Sequence, residues 1–424
     1  MTITPERGIV STMTELLMPA GSLPLLKTAV RYGADAVYVG GEQYGLRAKA
    51  INFSPEDMAK GIAFCHANGR KLYVTANITA HNRDLRGVRK YFAELNEIVP
   101  DAVIISDPGV FSIAKETLRP EIAIHISTQA NNVNVETFRF WYRLGASRVV
   151  CGRELSLAEI AQIHAELSKE QEIEAFVHGA MCISYSGRCL LSNYMTGRDA
   201  NLGACTHPCR WRYALVEEKR PGEYFPVEEN ERGTYILNSR DLCMIEHVPE
   251  LLAAGIDSWK VEGRMKHSLY IAGIARAYRL AIDAAKRDPE EYRAMLPMLA
   301  EEIRLCEGRD CTTGFFFGTP GEESMKYESA TADTGAVYLG TVDTVTSDGY
   351  SEFTQKNKFC VGDTVAFMKT DGRNILTRVL AMRDGDGAEI DSCPHPGMRV
   401  GIRTEIAPEP GDVMRTVIAA EKQK

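Results

Sequence analysis

The sequence predicts an α/β fold: a (β/α)8 TIM-like barrel with a cysteine-rich insertion after its seventh strand, followed by a small C-terminal β-barrel. Three observations predict it. From Glu15 onward, short β-branched runs alternate with amphipathic helical patterns at a spacing of roughly 25 to 35 residues. Eight such runs occur, and eight one-sided βα repeats are what a closed parallel cylinder requires. From about Thr331 the rhythm changes to short strands separated by turn signals. A doubly wound open sheet is the competing fold, but no G-x-G-x-x-G run follows the first strand.

In chain order, a tail of residues 1–13 precedes strands expected at Glu15–Pro19, Ala36–Gly40, Lys71–Asn77, Ala102–Asp107, Ala123–Thr128, Arg148–Arg153, Ile173–His178 and Ser258–Gly263. The helical patterns SLPLLKTAVRYG, SPEDMAKGIAFCHANG, DLRGVRKYFAELNEI and SLAEIAQIHAEL lie between them, several opened by a capping Ser or Asp. After the seventh strand the chain spends roughly 80 residues before the eighth, far beyond ordinary loop lengths. That excursion, taken as 179–257, includes TYILNSRDL as an extra strand and CMIEHVPELLAAG as a helix. The helices HSLYIAGIARAYRLAIDAAKRD and a continuation to about Arg309 complete a barrel domain of 14–328, and 329–424 form the second domain. Loops after barrel strands line the catalytic face, so the excursion is expected to cap the mouth.

The excursion holds Cys182, Cys189, Cys205 and Cys209, with six, fifteen and three residues between successive members. Glycines and Pro208 in or beside the stretch let the thiols converge with little backbone strain. Thiolates suit a soft metal or an iron–sulfur cluster. Inert core thiols, disulfides and a zinc site are the competing readings. Cys65 and Cys151 sit in apolar runs that suit core packing. Zinc ribbons use two tight C-x2-C knuckles, whereas the first pair here is C-x6-C and the second C-x3-C. No apolar run is long enough to span a bilayer and no signal peptide is evident, so a reducing cytoplasmic setting is expected.

The 424 residues are 45% hydrophobic and 25% charged, with a formal net charge of -8, which is ordinary soluble globular composition. A net negative chain does not coat nucleic acid through a general basic field, so any RNA groove must be local. Arg188, Arg198, Arg210 and Arg212, with Trp211 and Tyr213 as stacking surfaces, supply one candidate. Alternation along the strands places His125, Ser127 and Gln129 on one face, Glu174, Phe176 and His178 on another, and Lys260, Glu262 and Arg264 on a third. A structural Lys260–Glu262 pair is one reading of the last set. Arg153 and Arg264, near strand ends, suit bidentate binding of a carboxylate or phosphate. H-E-x-x-H, G-x-S-x-G and P-loop motifs are absent. A His178–Cys182 peptidase dyad is conceivable, although four grouped cysteines are an odd way to supply one nucleophile.

The runs ELLMPAGS, GADAVYVGG, DPGV, HISTQANNVN, RELSLAEI, EAFVHGAMCISYSGRCLLSNY, GACTHPCRWRY, LNSRDL and KVEGRMK span nearly the whole chain. Together they resemble the collagenase-like peptidase family of unassigned mechanism, most of all its branch of prephenate-dependent tRNA hydroxylases, which install 5-hydroxyuridine at the wobble position. The resemblance implies a [4Fe-4S] cluster on Cys182, Cys189, Cys205 and Cys209, with Cys243 as reserve ligand. It implies tRNA and prephenate as substrates, and a homologous partner subunit in some members. On that reading Arg153, Lys260 and Arg264 hold the prephenate carboxylates. His125, Gln129, His178 and Glu262 handle protons or hydrogen bonds, and Arg210, Trp211 and Arg212 meet the RNA. A peptidase, or a hydroxylase acting on ribosomal RNA or in quinone synthesis, is the alternative within the same family.

Overall fold

The computed structural model describes residues 14–46, 52–182, 184–185, 188–211, 215–216, 224–225, 240–307, 310–318, 320 and 335–417. The expected tail, Arg212, Tyr213 and most of TYILNSRDL lie outside the described residues. The chain divides into two compact units.

The first unit spans residues 1–26, 34–265 and 310–331. Its strands are β1 (Glu15–Pro19), β2 (Ala36–Gly40), β3 (Lys71–Ala76), β4 (Ala102–Ile105), β5 (Ala123–Ile126), β6 (Arg148–Val150) and β7 (Glu172–Gly179). Then come a two-stranded ribbon of β8 (Leu215–Val216) and β9 (Tyr224–Phe225), β10 (Asp241–Cys243), β11 (Ser258–Val261) and β12 (Cys311–Thr312). Strands β1 to β7 run parallel in order, and β11 pairs in parallel with both β7 and β1, closing an eight-stranded barrel. All eight expected strands are present, β1 and β2 with the expected limits and the others within three residues at each end.

Helices α1 (Leu23–Arg31), α2 (Pro55–Ala67), α3 (Asn82–Ile98), α4 (Pro108–Thr117), α5 (Val135–Arg143) and α6 (Leu157–Ala165) follow the first six strands. Local chemistry fixes their starts. Ser54 caps α2 by accepting from the Asp57 N–H, with Pro55 in the first turn. Asp107 does the same for α4, and Ser156 with Glu159 forms a capping box on α6. Helix α3 begins two residues before the DLRGVRK pattern because His81 and Asp84 close its first turn.

The lumen is filled by Leu17, Ala36, Tyr38, Tyr73, Ala102 and Ile104. Beyond the barrel, β7 continues into an antiparallel pairing with β10, which in turn pairs with β12. The insertion adds α7 (Leu191–Thr196) before β8, and α8 (Val248–Ala253) precedes β11.

The second unit holds residues 27–33, 266–309 and 332–424. It contains α9 (Ser268–Arg287), α10 (Pro289–Glu307) and strands β13 (Tyr338–Thr341), β14 (Thr344–Val345), β15 (Ser351–Thr354), β16 (Thr364–Met368), β17 (Asn374–Asp384), β18 (Arg399–Thr404) and β19 (Val413–Thr416). These strands form one curled antiparallel sheet in the order β13-β19-β16-β17-β18-β15-β14 around Leu339, Phe353, Phe367, Met382, Ile402 and Met414. Arg276 on α9 ties down the β16–β17 turn, donating to the Lys369 and Arg373 carbonyls at 2.7 and 3.1 Å. Among the described residues no helix is long and apolar enough to cross a membrane.

Candidate active site at the barrel mouth

Seven of the eight barrel strands, or the loops just after them, end on one cavity of about 530 Å³ that opens to solvent. Tyr38, Leu46, Thr75, Asn77, Ile104, Ser127, Thr128, Gln129, Arg153, Phe176, Lys260, Glu262 and Arg264 line it. Ser127, Gln129, Phe176, Lys260, Glu262 and Arg264 were expected from strand alternation, and Arg153 from its place near a strand end. Tyr38, Thr75 and Asn77 were not, although Tyr73, Thr75 and Asn77 alternate along KLYVTAN with the same period.

Lys260 Nζ lies 2.6 Å from Glu174 Oε1 and stands over the Tyr38 and Phe176 rings at 4.6 and 5.5 Å. Arg153 lies over the Phe176 ring at 4.1 Å and 3.4 Å from the Glu262 carboxylate. The Lys260–Glu262 pair admitted by the sequence therefore does not form. Residues two apart on a strand share a face but occupy successive layers, and each charge pairs within reach of its own layer. Arg264 is buried and donates to Thr75 Oγ1 at 3.2 Å. Gly40 makes room for it, since a Cβ there would stand 1.9 Å from an Arg264 terminal nitrogen. Asn77 donates to Ser127 Oγ at 3.1 Å, and its Oδ1 has no hydrogen-bond partner among the described residues.

One layer deeper, Arg148 bridges Glu15, Glu172 and Glu174 at 2.6, 2.7 and 3.2 Å. Burial pushes the Glu15 carboxyl up, but Arg148, Tyr73 and Ser258 outweigh it and hold Glu15 below the usual carboxylate range. His125 belongs to this layer, edge-on to Tyr73 at 4.8 Å and almost fully buried, and does not line the cavity. Burial first, then the charges of Arg148, Lys260 and Lys71, holds its imidazole well below 6.5.

This depression predicts a pH effect. An unfolded chain protonates His125 near pH 6.5 while the folded chain does not, so the unfolded state binds more protons and stability falls as pH drops below that value. The slope contribution reaches about 1.4 kcal/mol per pH unit. Urea unfolding between about pH 7.5 and 5.5 is expected to give a shallower pH dependence for His125→Gln than for the parent. An unchanged slope would assign the effect to other groups.

His178 is buried, sits opposite Cys243 across the β7–β10 pairing and does not line the cavity. The register of β7 against β11 shifts by one residue at Val177, which breaks the strict alternation on which the shared face with Phe176 rested.

All eleven cysteines are free thiols. Cys65, Cys151, Cys306 and Cys393 are buried in the core, whereas Cys182 is exposed and Cys189, Cys205 and Cys209 are half-buried. The insertion closes on itself and on the mouth. The Thr79 N–H donates to the Asn201 carbonyl at 3.0 Å, and Gly203 packs against Gly45 and Leu46, which borders the cavity. Asn201 Nδ2 reaches the Cys189 carbonyl at 3.4 Å. Burial first, helped by Cys182, Cys205 and Cys189 and opposed by Arg210, pushes the Cys209 thiol up to about 11. The other three thiols thus stand within electrostatic reach of Cys209. Among the described residues no three Cys, His or carboxylate side chains are close enough to share a single metal ion. A donor set of four accessible thiols suits a multi-iron cluster, which spreads its ligands more widely than one tetrahedral ion.

Arg210 turns inward: it donates to the Met181 carbonyl at 3.3 Å and lies 3.9 Å from Asp241. Trp211 is 41% exposed.

Comparison with known proteins follows the same division of the chain. The chain is 38% identical to tRNA hydroxylation protein P1 of Bacillus subtilis, over 98% of this chain and 97% of that protein. It is 37% identical to tRNA hydroxylation protein P of Escherichia coli, over 91% and 92%. The 23S rRNA 5-hydroxycytidine C2501 synthase of Escherichia coli is 36% identical over 64% of this chain and 39% of its own length. The profile of peptidase family U32 matches residues 21–326, and that of the family's C-terminal domain matches residues 335–415. With both profiles matched in order along one chain, this protein belongs to peptidase family U32.

Proposed function

We propose that this chain is a tRNA hydroxylase that converts the wobble uridine to 5-hydroxyuridine, with prephenate as co-substrate and a [4Fe-4S] cluster on Cys182, Cys189, Cys205 and Cys209. The observation that carries it is the cavity itself: three cations, Arg153, Lys260 and Arg264, face it against one lining carboxylate, Glu262. A small dianion is the ligand such a charge balance favours. Full-length similarity to two tRNA hydroxylation proteins supports tRNA over ribosomal RNA as substrate, because the rRNA enzyme matches over less than half of its own length.

Each group has a part to play. Arg264 and Arg153 bind carboxylates through the N–H edges of their planar guanidinium groups, one braced by Thr75 and the other by Phe176 and Glu262. Lys260 supplies a point charge from below, held by Glu174. Gln129 and the unpartnered Asn77 Oδ1 offer hydrogen bonds that orient the ligand or the uracil edge. His125, buried beneath Lys260 with its imidazole held well below the usual range, shapes the floor under the cavity. When bound, the cluster supplies redox chemistry at iron beside the mouth. Extrusion of the target nucleotide brings its ring carbon into reach, as for other enzymes that act on a base.

The test is nucleoside mass spectrometry of tRNA from a strain lacking the gene and any parallel pathway. Loss of wobble 5-hydroxyuridine, restored by the wild-type gene and not by Arg264→Ala, is expected. Persistence of the nucleoside overturns the reading.

A further inference from the structure

The insertion that carries the four thiols also carries the two most exposed aromatic side chains among the described residues, Tyr194 at 86% and Tyr185 at 56%. Trp211 ends the same stretch. Packing does not explain them. On α7, Ser192 and Thr196 turn inward to share Thr206, at 3.1 and 3.3 Å. Tyr194, midway between these two on the helix, is thereby directed to solvent.

Charge adds a second observation. Between Ala180 and Trp211 the cations Arg188, Arg198 and Arg210 meet a single acid, Asp199, in a chain whose net charge is -8. Asp199 is engaged with the Asn201 N–H at 2.8 Å, and Arg210 is turned toward Met181 and Asp241. Among the described residues Arg188 and Arg198 have no carboxylate within ion-pair distance. Exposed rings between unpaired guanidinium groups, on a segment anchored to the cavity rim at Leu46 and Thr79, match the chemistry of unpaired RNA rather than that of a protein or lipid surface.

We infer that Tyr185, Tyr194 and Trp211, flanked by Arg188 and Arg198, form the surface on which unpaired bases of an RNA loop stack while a neighbouring nucleotide enters the cavity. The inference rests on the proposed tRNA-hydroxylating role and names the docking face for it. Of the arginines the sequence offers for RNA, it keeps Arg188 and Arg198 and sets aside Arg210.

The experiment is fluorescence anisotropy of the full-length protein with a labelled anticodon stem–loop. Tyr185→Ala and Tyr194→Ala are each expected to raise Kd roughly tenfold, with unchanged melting temperature because both rings are exposed. Tyr194→Trp retains wild-type affinity. Arg188→Gln and Arg198→Gln each lower the slope of log Kd against log salt by about 0.7. Wild-type affinity in both Tyr→Ala variants overturns the inference, as does absence of stem–loop binding by the parent. If those variants lose self-association in sedimentation instead, with RNA affinity intact, the face belongs to a second copy of the chain. Failure of the hydroxylase reading is separately visible: stem–loop binding would depend on the tyrosines while the deletion strain kept its 5-hydroxyuridine.

Discussion

On the proposed cluster assignment, Cys182→Ala and Cys205→Ala, purified without oxygen, are each expected to lack the broad visible absorbance and bound iron of the parent while melting within a few degrees of the iron-free parent. Cys182 is exposed and Cys205 half-buried, so neither leaves a core cavity, and substitutions away from a packed core usually change stability by about 0.5 kcal/mol or less. The metal outcome is different. Changes to groups that merely support a ligand cost roughly 10–100-fold, so loss of a ligand is expected to cost more than about 100-fold in wobble hydroxylation. Cys65→Ala is the control: its thiol is fully buried, so it lowers stability by about 1 kcal/mol and leaves iron content alone. Parental iron and absorbance in both Cys182→Ala and Cys205→Ala would dismiss the four-thiol assignment. If Cys205→Ala alone kept its iron, the double variant with Cys243→Ala would reveal whether the half-buried thiol on β10 takes the vacant place.

Glu174→Ala is expected to destabilise the barrel by about 3–5 kcal/mol, the cost of leaving a buried charge without its partner. Glu174 is completely buried and serves two cations, Lys260 at 2.6 Å and Arg148 at 3.2 Å. Arg148 retains Glu15 and Glu172, whereas among the described residues Lys260 keeps only the faces of Tyr38 and Phe176. The penalty is therefore concentrated on Lys260. Adding Lys260→Met to Glu174→Ala removes the stranded charge and is expected to recover most of the loss, a non-additivity readable by urea unfolding of the double-mutant cycle. Additive penalties would mean that the pair is not coupled in this way.

The barrel was legible because its evidence is periodic. Each strand is a short β-branched run, and capping residues such as Ser54, Asp107 and Ser156 mark the starts of the helices. The curled sheet was legible as a class from its turn signals, while in its longest strand, β17, the exposed Leu376 and Leu380 blur the alternation of NILTRVLAMRD. At the site, counting in twos brought Gln129, Lys260, Glu262 and Arg264 to one cavity, and position near a strand end brought Arg153. Counting in twos failed at Val177, where an extra residue in the register changed where His178 faces. It also could not separate layers, so His125 was placed with the cavity although it lies beneath it. Arg210 illustrates a third limit: composition places a cation near RNA, but only tertiary contacts reveal that its hydrogen bonds are spent inside the loop.

Gly40 and Arg264 compete for the same few cubic ångströms, since a single methyl group on one would overlap the guanidinium of the other. The two positions therefore form a linked pair in sequence space. A side chain at the end of the second barrel strand would oblige the Arg264 guanidinium to leave the place beside Thr75 that it now holds.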